Sequence, residues 1–118
     1  MRKLLKVMKT EENTIDLRKY IAKDSSVLTG RPYGKAVRES SGIDMLETKF
    51  EQVNIIIPEN IYSIGPSFLE ELFFNVIKKL GKEKFFIKFK FVHNGKYDYK
   101  TPLNEAIERV LRKTTAIG

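Results

Sequence analysis

The sequence predicts a small α/β domain in which helices pack on a central mixed or parallel sheet. Residues 53–57 form a dense run of β-branched side chains that stops at Pro58, which is typical of a strand covered on both faces. Residues 66–80 then show the strongest helical periodicity in the chain. Because crossovers between parallel strands are right-handed, this strand–helix–strand order places the helix on the sheet.

Length and composition favour one domain. The 118 residues are enough for one hydrophobic core and too few for two ordinary domains. We therefore treat residues 1–118 as a single domain, with 1–28 as an N-terminal extension and 114–118 as a frayed tail. The sequence contains no cysteine, which excludes disulfides and cysteine-based metal sites. Since no apolar stretch is long enough for a signal peptide or a membrane span, we expect a cytoplasmic protein without a membrane partner.

The N-terminal part is predicted to contain a strand and a short helix. Residues 3–8 are apolar enough for a strand, and residues 10–13 form a polar turn. Residues 16–22 suit a short helix, which is followed by a polar loop at 23–29. The short helix is indicated by apolar side chains at i, i+3 and i+4, namely Leu17, Tyr20 and Ile21.

A second helix is predicted from residue 31 or 32 to about 41, and it carries a basic stripe. Arg31, Lys35 and Arg38 repeat at i, i+4 and i+7, so they share one face. The stripe begins where backbone N–H groups are free to bind an anion, which makes it a candidate anion-binding site. The alternative is a solvent-facing stripe, with Gly34 allowing close helix packing.

Residues 45–50 are interpreted as an extended segment that leads into the strand at 53–57. The helix at 66–80 has both of its ends marked. Pro66 favours the start, because proline at the first helical position loses no intrahelical hydrogen bond, and Gly81 suits the position after the last turn. One side of this helix is apolar and comprises Phe68, Leu69, Leu72, Phe73, Val76, Ile77 and Leu80.

The opposite side of that helix is polar except for one aromatic residue, Phe74. A single aromatic residue that is exposed, or covered by another element, is common in globular proteins. The alternative is a partner-binding surface anchored by Phe74, since aromatic residues dominate interface energetics. This predicted docking face comprises Ser67, Glu70, Glu71, Phe74 and Lys78.

The last part of the chain is predicted to form a strand, a turn and a helix. Residues 85–91 alternate between an apolar and a largely basic face, which indicates a strand packed on the core, with a nucleic-acid stacking platform as the alternative. The Asn94 and Gly95 pair signals a turn, followed either by a short hairpin strand or by a plain loop. Thr101 is predicted to cap a final helix, and its buried stripe comprises Leu103, Ala106, Ile107, Val110 and Leu111.

The chemistry-bearing residues do not form a recognisable catalytic pattern, so we expect no enzymatic activity, no cofactor and no metal. His93 is the only histidine, and its place beside a turn signal suits a turn residue. Glu70 and Glu71 are adjacent on a helix, about 100° apart, which is a poor arrangement for converging carboxylates. The net charge of +7 favours anionic partners, but it is dispersed along the chain. A solvated basic surface is the simplest interpretation, and a nucleic-acid-associated protein is the alternative function.

One stretch also resembles a known family. The chain resembles the STAS-like family of small bacterial domains of unknown function, which is related to the anti-sigma-factor antagonists. The resemblance is carried by the sequence pattern IxSIGPSFLEELFxxVIKKLG, with TGRPYGKAVR upstream and FKFVHN downstream. The resemblance covers about residues 29–94, and PSFLEEL is its most specific part. It implies a SpoIIAA-like α/β fold and a regulatory, protein-binding role. By analogy, the partner would be a kinase-like or ATP-binding regulator.

The chain departs from the antagonists at the turn before the main helix. Those proteins carry an Asp-Ser-Ser-Gly-type sequence there, whose first serine is phosphorylated by a partner kinase, whereas this chain reads Gly65-Pro66-Ser67-Phe68. Pro66 takes the place of the phosphoacceptor, which argues against a phosphoswitch. Ser67 keeps a hydroxyl group one position later. We interpret it as a helix-start serine bonded to backbone, with a phosphoacceptor as the alternative.

Overall fold

The computed structural model describes residues 12–117, with side chains described through residue 113. The strand predicted at residues 3–8 lies outside this part of the chain. The backbone of residues 114–117, predicted as a frayed tail, continues the last helix.

The described chain forms one compact α/β domain with parallel sheets, as the sequence predicts. The larger sheet has three parallel strands, β1 (Thr14–Asp16), β3 (Val53–Ile56) and β5 (Phe89–Val92), in the order β1-β3-β5. Strand β3 is therefore the central strand, with Ile55 opposite Ile15 on one side and Phe91 on the other. Two short strands, β2 (Val27–Leu28) and β4 (Ser63–Ile64), form a separate parallel pair.

Five helices within residues 12–117 surround these strands, and a short 3₁₀ turn follows β1. The turn spans Leu17–Lys19 and replaces the helix predicted at residues 16–22. The helices are α1 (Arg31–Ser41), α2 (Ile43–Lys49), α3 (Pro66–Leu72), α4 (Phe74–Lys88) and α5 (Lys100–Ile117).

Helix α3 packs between α1 and α5. The contact with α1 is close because Gly34 lacks a side chain: a Cβ atom there would lie 2.3 Å from the carbonyl oxygen of Phe68. The rings of Tyr33 and Phe68 meet edge to face beside this contact, with centroids 5.2 Å apart. The close packing at Gly34 that the sequence suggested is therefore present.

An aromatic cluster joins the helices to the sheet. Phe73 meets Phe85 edge to face at 5.2 Å, and Phe85 stacks on Phe89 at 4.9 Å between centroids. All three residues are almost completely buried, as is Phe68. Burying each of these rings contributes on the order of 2 kcal/mol of hydrophobic stabilisation.

Three predictions of secondary structure near α1 and α3 are wrong. Residues 45–50 belong mainly to α2 and are not extended, because Gly42, at φ 67°, ends α1 and lets a second helix start at once. The loop predicted at residues 23–29 contains β2. The helix predicted over 66–80 is divided into α3 and α4 by Phe73, whose backbone departs from helical geometry at φ −100° and ψ 9°.

The strand predicted at residues 85–91 is also wrong over most of its length. Helix α4 resumes after Gly81, which breaks the helix at φ 80° and ψ 174°, and it continues to Lys88. Ile87, predicted to face the core, is 69% exposed. Because residues four apart share a face in both a helix and a strand, the burial of Phe85 and Phe89 fits either structure. The pattern was therefore ambiguous.

The segment after β5 is a plain loop, one of the two alternatives left open by the sequence. Asp98, and not Thr101, caps α5. Its carboxylate accepts hydrogen bonds from the backbone N–H of Lys100 at 3.1 Å and from the Thr101 hydroxyl at 2.6 Å. These bonds hold the pKa of Asp98 below its usual range, the Thr101 hydroxyl having the largest effect.

Candidate functional site

The most concentrated charge cluster on the described chain surrounds Glu70. This carboxylate lies on α3 and is completely buried, although the sequence placed it on a solvent-facing side of the helix. Its Oε1 atom lies 3.2 Å from Arg31 Nη2 and 3.7 Å from Arg109 Nη1, and Lys113 donates to Oε2. The predicted exposure of Glu70 is therefore wrong, because α1 and α5 bring three cations over it.

The electrostatics of the cluster keep Glu70 ionised. Burial favours the protonated form, but hydrogen bonds from Lys113 and Arg31, together with their charges, outweigh it and hold the pKa of Glu70 below its ordinary value. The same contact raises the pKa of Arg31, mainly through its hydrogen bond and charge attraction to Glu70. The cluster therefore combines the buried Glu70 carboxylate with three cations, two of which also contact another carboxylate: Arg31 contacts Glu71, and Arg109 contacts Glu105.

The predicted basic stripe is divided by these contacts. Arg31 also lies 3.4 Å from Glu71 Oε2, and Arg38 donates to the backbone carbonyl oxygen of Glu71 at 2.6 Å. Lys35 is exposed and makes no hydrogen bond or ion pair with the described part of the chain. Two of the three predicted anion-binding residues are therefore occupied by glutamates of α3.

A shallow depression of about 390 Å³ opens beside the cluster. It is lined by Arg31, Glu70, Arg109, Arg112 and Lys113. The basic residues of the last helix were interpreted from the sequence as dispersed charge, whereas in the structure three of them line one depression with Arg31. Their i, i+3, i+4 spacing, which places Arg109, Arg112 and Lys113 on one face of α5, was the available signal. The depression can hold an anion, although Glu70 offsets part of its positive potential.

Ser67 lies at the edge of this cluster, in the first turn of α3. Its hydroxyl oxygen accepts a hydrogen bond from Arg109 Nη1 at 3.4 Å. The residue before α3, Gly65, makes no side-chain cap bond. The interpretation of Ser67 as bonded to the helix backbone is therefore replaced by a bond to a side chain of α5.

Phe74 and Lys78 form the other half of the predicted docking face. Both lie on the first turns of α4, beyond the break at Phe73. Lys78 is exposed, and its Nζ atom lies 6.0 Å from the ring centroid of Phe74. Phe74 is partly buried and packs against the core with part of its ring on the surface. The structure therefore brings these two residues together, and neither takes part in the ion pairs of Glu70 and Glu71.

Other chemical groups show no converging arrangement in the part that the structure describes. Within residues 12–117 there is no cluster of three histidine, aspartate or glutamate side chains that could hold a metal ion. The two ring nitrogens of His93 are buried there without a hydrogen-bond partner, and the ring meets Tyr99 edge to face at 5.7 Å. None of the helices in this range has the length and apolar character needed to cross a membrane.

Comparison with known proteins identifies one segment of the chain. Residues 59–99 match the family described as a STAS-like domain of unknown function (DUF4325). No curated protein and no solved structure gives a significant match. The matched segment begins after β3, contains β4, α3, α4 and β5, and ends at the residue before α5; it includes the PSFLEEL stretch of α3. The resemblance predicted from the sequence is confirmed, and over residues 59–99 this chain is similar to the STAS-like domain of unknown function.

Proposed function

We propose that this chain is a small regulatory domain that binds a partner protein through Phe74 and Lys78 and catalyses no reaction. The observation that supports the proposal is the position of the Phe74 ring. It stands partly exposed at the start of α4, beside an exposed cation and outside the ion pairs of α3. An aromatic ring next to a charged group is the kind of anchor that carries much of the energy of protein interfaces.

The ion pairs of α3 reduce the number of residues in the predicted docking face that a partner can contact freely. Glu70 and Glu71 already bind Arg31, so a partner that required them would have to break these contacts. Breaking a buried ion pair costs several kcal/mol. Phe74 and Lys78, in contrast, can be contacted without disturbing any ion pair of the described chain. We therefore assign the docking surface to these two residues and treat Ser67, Glu70 and Glu71 as its structural support.

The chemistry of this surface favours an acidic partner. Lys78 supplies a positive charge beside the aromatic ring, and the whole chain carries a net charge of +7. A matching surface would have an apolar pocket for the ring and carboxylates near the ammonium group. By analogy with the anti-sigma-factor antagonists that the chain resembles, the partner would be a kinase-like or ATP-binding regulator.

The experiment that tests the proposal compares the partly exposed Phe74 with an exposed aromatic residue elsewhere on the surface. The tagged full chain, Phe74→Ala and Tyr62→Ala are each expressed in the source cell, cross-linked and purified with their bound proteins. Tyr62 is 78% exposed and lies outside the proposed surface, so it is the matched control. We expect a partner that is captured by wild type and Tyr62→Ala but weakened by more than about 1 kcal/mol in Phe74→Ala.

The same partner is then titrated against purified variants to separate binding from folding. If Phe74→Ala and wild type bind equally well, or if Tyr62→Ala loses as much affinity, the surface has been assigned to the wrong residues. Circular dichroism of each variant shows whether a loss reflects unfolding.

A nucleic-acid-associated function is the second candidate, and the basic depression beside Glu70 favours it. Arg31, Arg109, Arg112 and Lys113 face one open concavity there. Fluorescence anisotropy with a labelled duplex and a labelled single strand, over a series of salt concentrations, tests this candidate. Nucleic-acid binding predicts affinity near physiological salt that falls steeply as salt rises. It also predicts a larger loss for Arg112→Glu than for Lys35→Glu, because Lys35 lies outside the depression.

A further inference from the structure

The outer edge of β5 offers backbone groups that no other described strand uses. In the part of the chain from residue 12 to residue 117, β5 is the last strand of the order β1-β3-β5. The Val92 carbonyl oxygen accepts a hydrogen bond from the N–H of Ile57 at 2.9 Å, so the backbone of Val92 is directed toward β3. Successive residues of a strand direct their backbone groups to opposite edges. The N–H and C=O of Phe91 are therefore directed outward, where they form a template for another strand.

An apolar groove lies between this edge and the first turns of α5. It has a volume of about 220 Å³, and its walls include Phe86, Phe91, Tyr99 and Leu103. The Phe91 and Tyr99 rings stack with centroids 5.5 Å apart. A groove of this kind beside a strand edge has the two features needed for strand addition: backbone hydrogen bonds for affinity and a pocket for an alternate side chain.

Two exposed lysines, Lys90 and Lys100, also line the groove. Neither forms an ion pair with a carboxylate of residues 12–113; Lys90 Nζ reaches only the Phe86 carbonyl oxygen, at 3.5 Å. The nearby Asp98 carboxylate is engaged by Thr101 at the start of α5. Asp98 lies close enough to Lys100 to interact with its charge, so one carboxylate stands against two lysines, and the groove keeps a net positive charge that complements an acidic ligand.

We propose that an extended acidic segment of a partner protein adds to β5 as a further strand. Its backbone pairs with the outward-directed groups of Phe91, an apolar side chain enters the groove, and flanking carboxylates meet Lys90 and Lys100. This site is a different surface from Phe74 and Lys78, and the inference does not depend on the function proposed for them.

Charge disfavours the two other occupants of such an edge. A second copy of this chain would bring Lys90 of one molecule near Lys90 of the other, and like charges that face each other across paired strands are destabilising. The N-terminal residues 1–11 contain Arg2, Lys3, Lys6 and Lys9 against one acidic residue, so they too are basic. An acidic segment is the occupant that the charge distribution selects.

The test uses the ¹⁵N-labelled full chain and a synthetic peptide, acetyl-Glu-Val-Glu-Phe-Glu-Val-Glu-amide. We expect saturable binding with a dissociation constant on the order of 100 µM, since a short strand must be ordered when it binds. The largest amide shifts should fall on Phe91 and His93, because the Phe89 N–H already donates to the Phe85 carbonyl oxygen at the end of α4. A peptide with lysine in place of every glutamate should not bind.

Two N-methylated peptides separate strand addition from charge attraction. Methyl groups on one alternate set of peptide nitrogens remove the hydrogen bonds that face β5, and methyl groups on the other set leave them intact. The two peptides have the same charge and side chains. Only one of them should lose binding. If both bind like the parent peptide, no strand is added.

Charge variants of the protein complete the test. Lys90→Glu and Lys100→Glu should each weaken peptide binding by about tenfold at low salt, whereas Lys35→Glu, with the same change in charge on α1, should change it by less than about twofold. Equal losses in all three variants would indicate only a long-range charge effect and would overturn the site. The proposal is also overturned if the peptide does not bind at millimolar concentration. Two further results would do the same: slow exchange of the Phe91 amide in the unbound chain, or self-association through β5.

Discussion

Helix α3 and the start of α4 differ sharply in how their polar sides are used, although the sequence reads as one continuous amphipathic helix over both. On α3, the charged residue Glu70 is completely buried. On α4, the aromatic residue Phe74 keeps part of its surface exposed. The cause is the neighbouring helices: α3 is flanked by α1 and α5, and cations from both meet Glu70. The position of a residue on a helical wheel therefore does not determine its exposure when other helices carry the opposite charge.

A second buried carboxylate is also paired with cations from another helix. Glu47 on α2 is buried and contacts Lys79 at 2.8 Å and Lys88 at 3.4 Å, both from α4. Burial alone would raise the pKa of Glu47, but its hydrogen bonds to the two lysines lower it. In both cases a carboxylate on a short helix is buried against cations from neighbouring helices. Neither Phe74 nor Lys78 makes such a contact with a carboxylate of residues 12–113.

The largest expected effect is a difference in stability between alanine variants of the two phenylalanines at the boundary between α3 and α4. Phe73 is fully buried among other aromatic rings, so Phe73→Ala should lower the free energy of unfolding by roughly 3 to 5 kcal/mol. Phe74→Ala removes a partly exposed ring and should cost about 1 kcal/mol. Urea denaturation of both variants measures the difference. Similar losses would mean that Phe74 belongs to the core and that the docking surface lies elsewhere.

The next effect tests whether Glu70 fixes α3 between its neighbours. Glu70→Ala removes the carboxylate that joins three cations, although Arg31 keeps its contact with Glu71 and Arg109 keeps its contact with Glu105, and we expect a loss of about 2 to 3 kcal/mol. The value lies at or below the lower end for buried pairs because Arg31, Arg109 and Lys113 stay 32–50% exposed and can be hydrated. Glu71→Ala is the matched control and should cost less than about 1 kcal/mol, since Glu71 is partly exposed. Equal losses would contradict a special role of the buried carboxylate.

Gly34→Ala tests the close contact between α1 and α3. The new Cβ atom would meet the backbone oxygen of Phe68 at 2.3 Å, so the two helices must move apart. Overpacking of this kind costs about 1 to 3 kcal/mol, and the better helix propensity of alanine offsets up to about 1 kcal/mol. We expect a net loss of about 1 to 2 kcal/mol in thermal or urea unfolding. Lys35→Ala, exposed on the same helix, should change stability by less than about 0.5 kcal/mol. A stabilised Gly34→Ala variant would show that the contact is looser than described.

The smallest expected effect is the pH dependence of the stability that Glu70 contributes. Since the pKa of Glu70 in the folded chain lies below its ordinary value of 4.5, its ion pairs contribute stability above that pH. The contribution is lost as the pH falls through the lowered folded-state pKa. Glu70→Gln removes this dependence, so the stability difference between wild type and variant should be largest near neutral pH and should shrink in acid. Urea midpoints measured between about pH 7 and pH 2.5 test the prediction, and a constant difference would contradict it. Glu47 titrates in both proteins, so its contribution cancels in the difference between them.

The elements that could be predicted are those whose residues favour one structure for local reasons. Pro66 marks the start of α3, and the β-branched run at 53–57 forms the central strand. The segment at 85–91 could not be assigned, because Phe85 and Phe89 lie four residues apart and share a face in both a helix and a strand. The cap of α5 was misplaced by three residues because Asp98 and Thr101 are both good capping residues.

The candidate sites also divide into those that the sequence indicates and those that it does not. Phe74 could be identified from the sequence as an aromatic residue on a polar helix side, and its partial exposure agrees with that reading. The basic depression could not be identified, since Arg31 and Arg109 come from helices far apart in the sequence. The groove beside β5 could not be predicted either, because residues 85–88 were interpreted as strand and β5 was not recognised as an edge strand.

The sequence by itself determined the α/β class, the central strand, the helix that begins at Pro66 and the resemblance to STAS-like domains. These follow from periodicity, proline and glycine chemistry and a specific stretch of residues, all of which act over a few positions of the chain. Only the tertiary structure decided that Glu70 is buried and that Phe91 lies on an edge strand of the sheet formed by residues 12–117. Ion pairing and strand order depend on which distant segments meet in space, and the local pattern of a sequence does not specify those meetings.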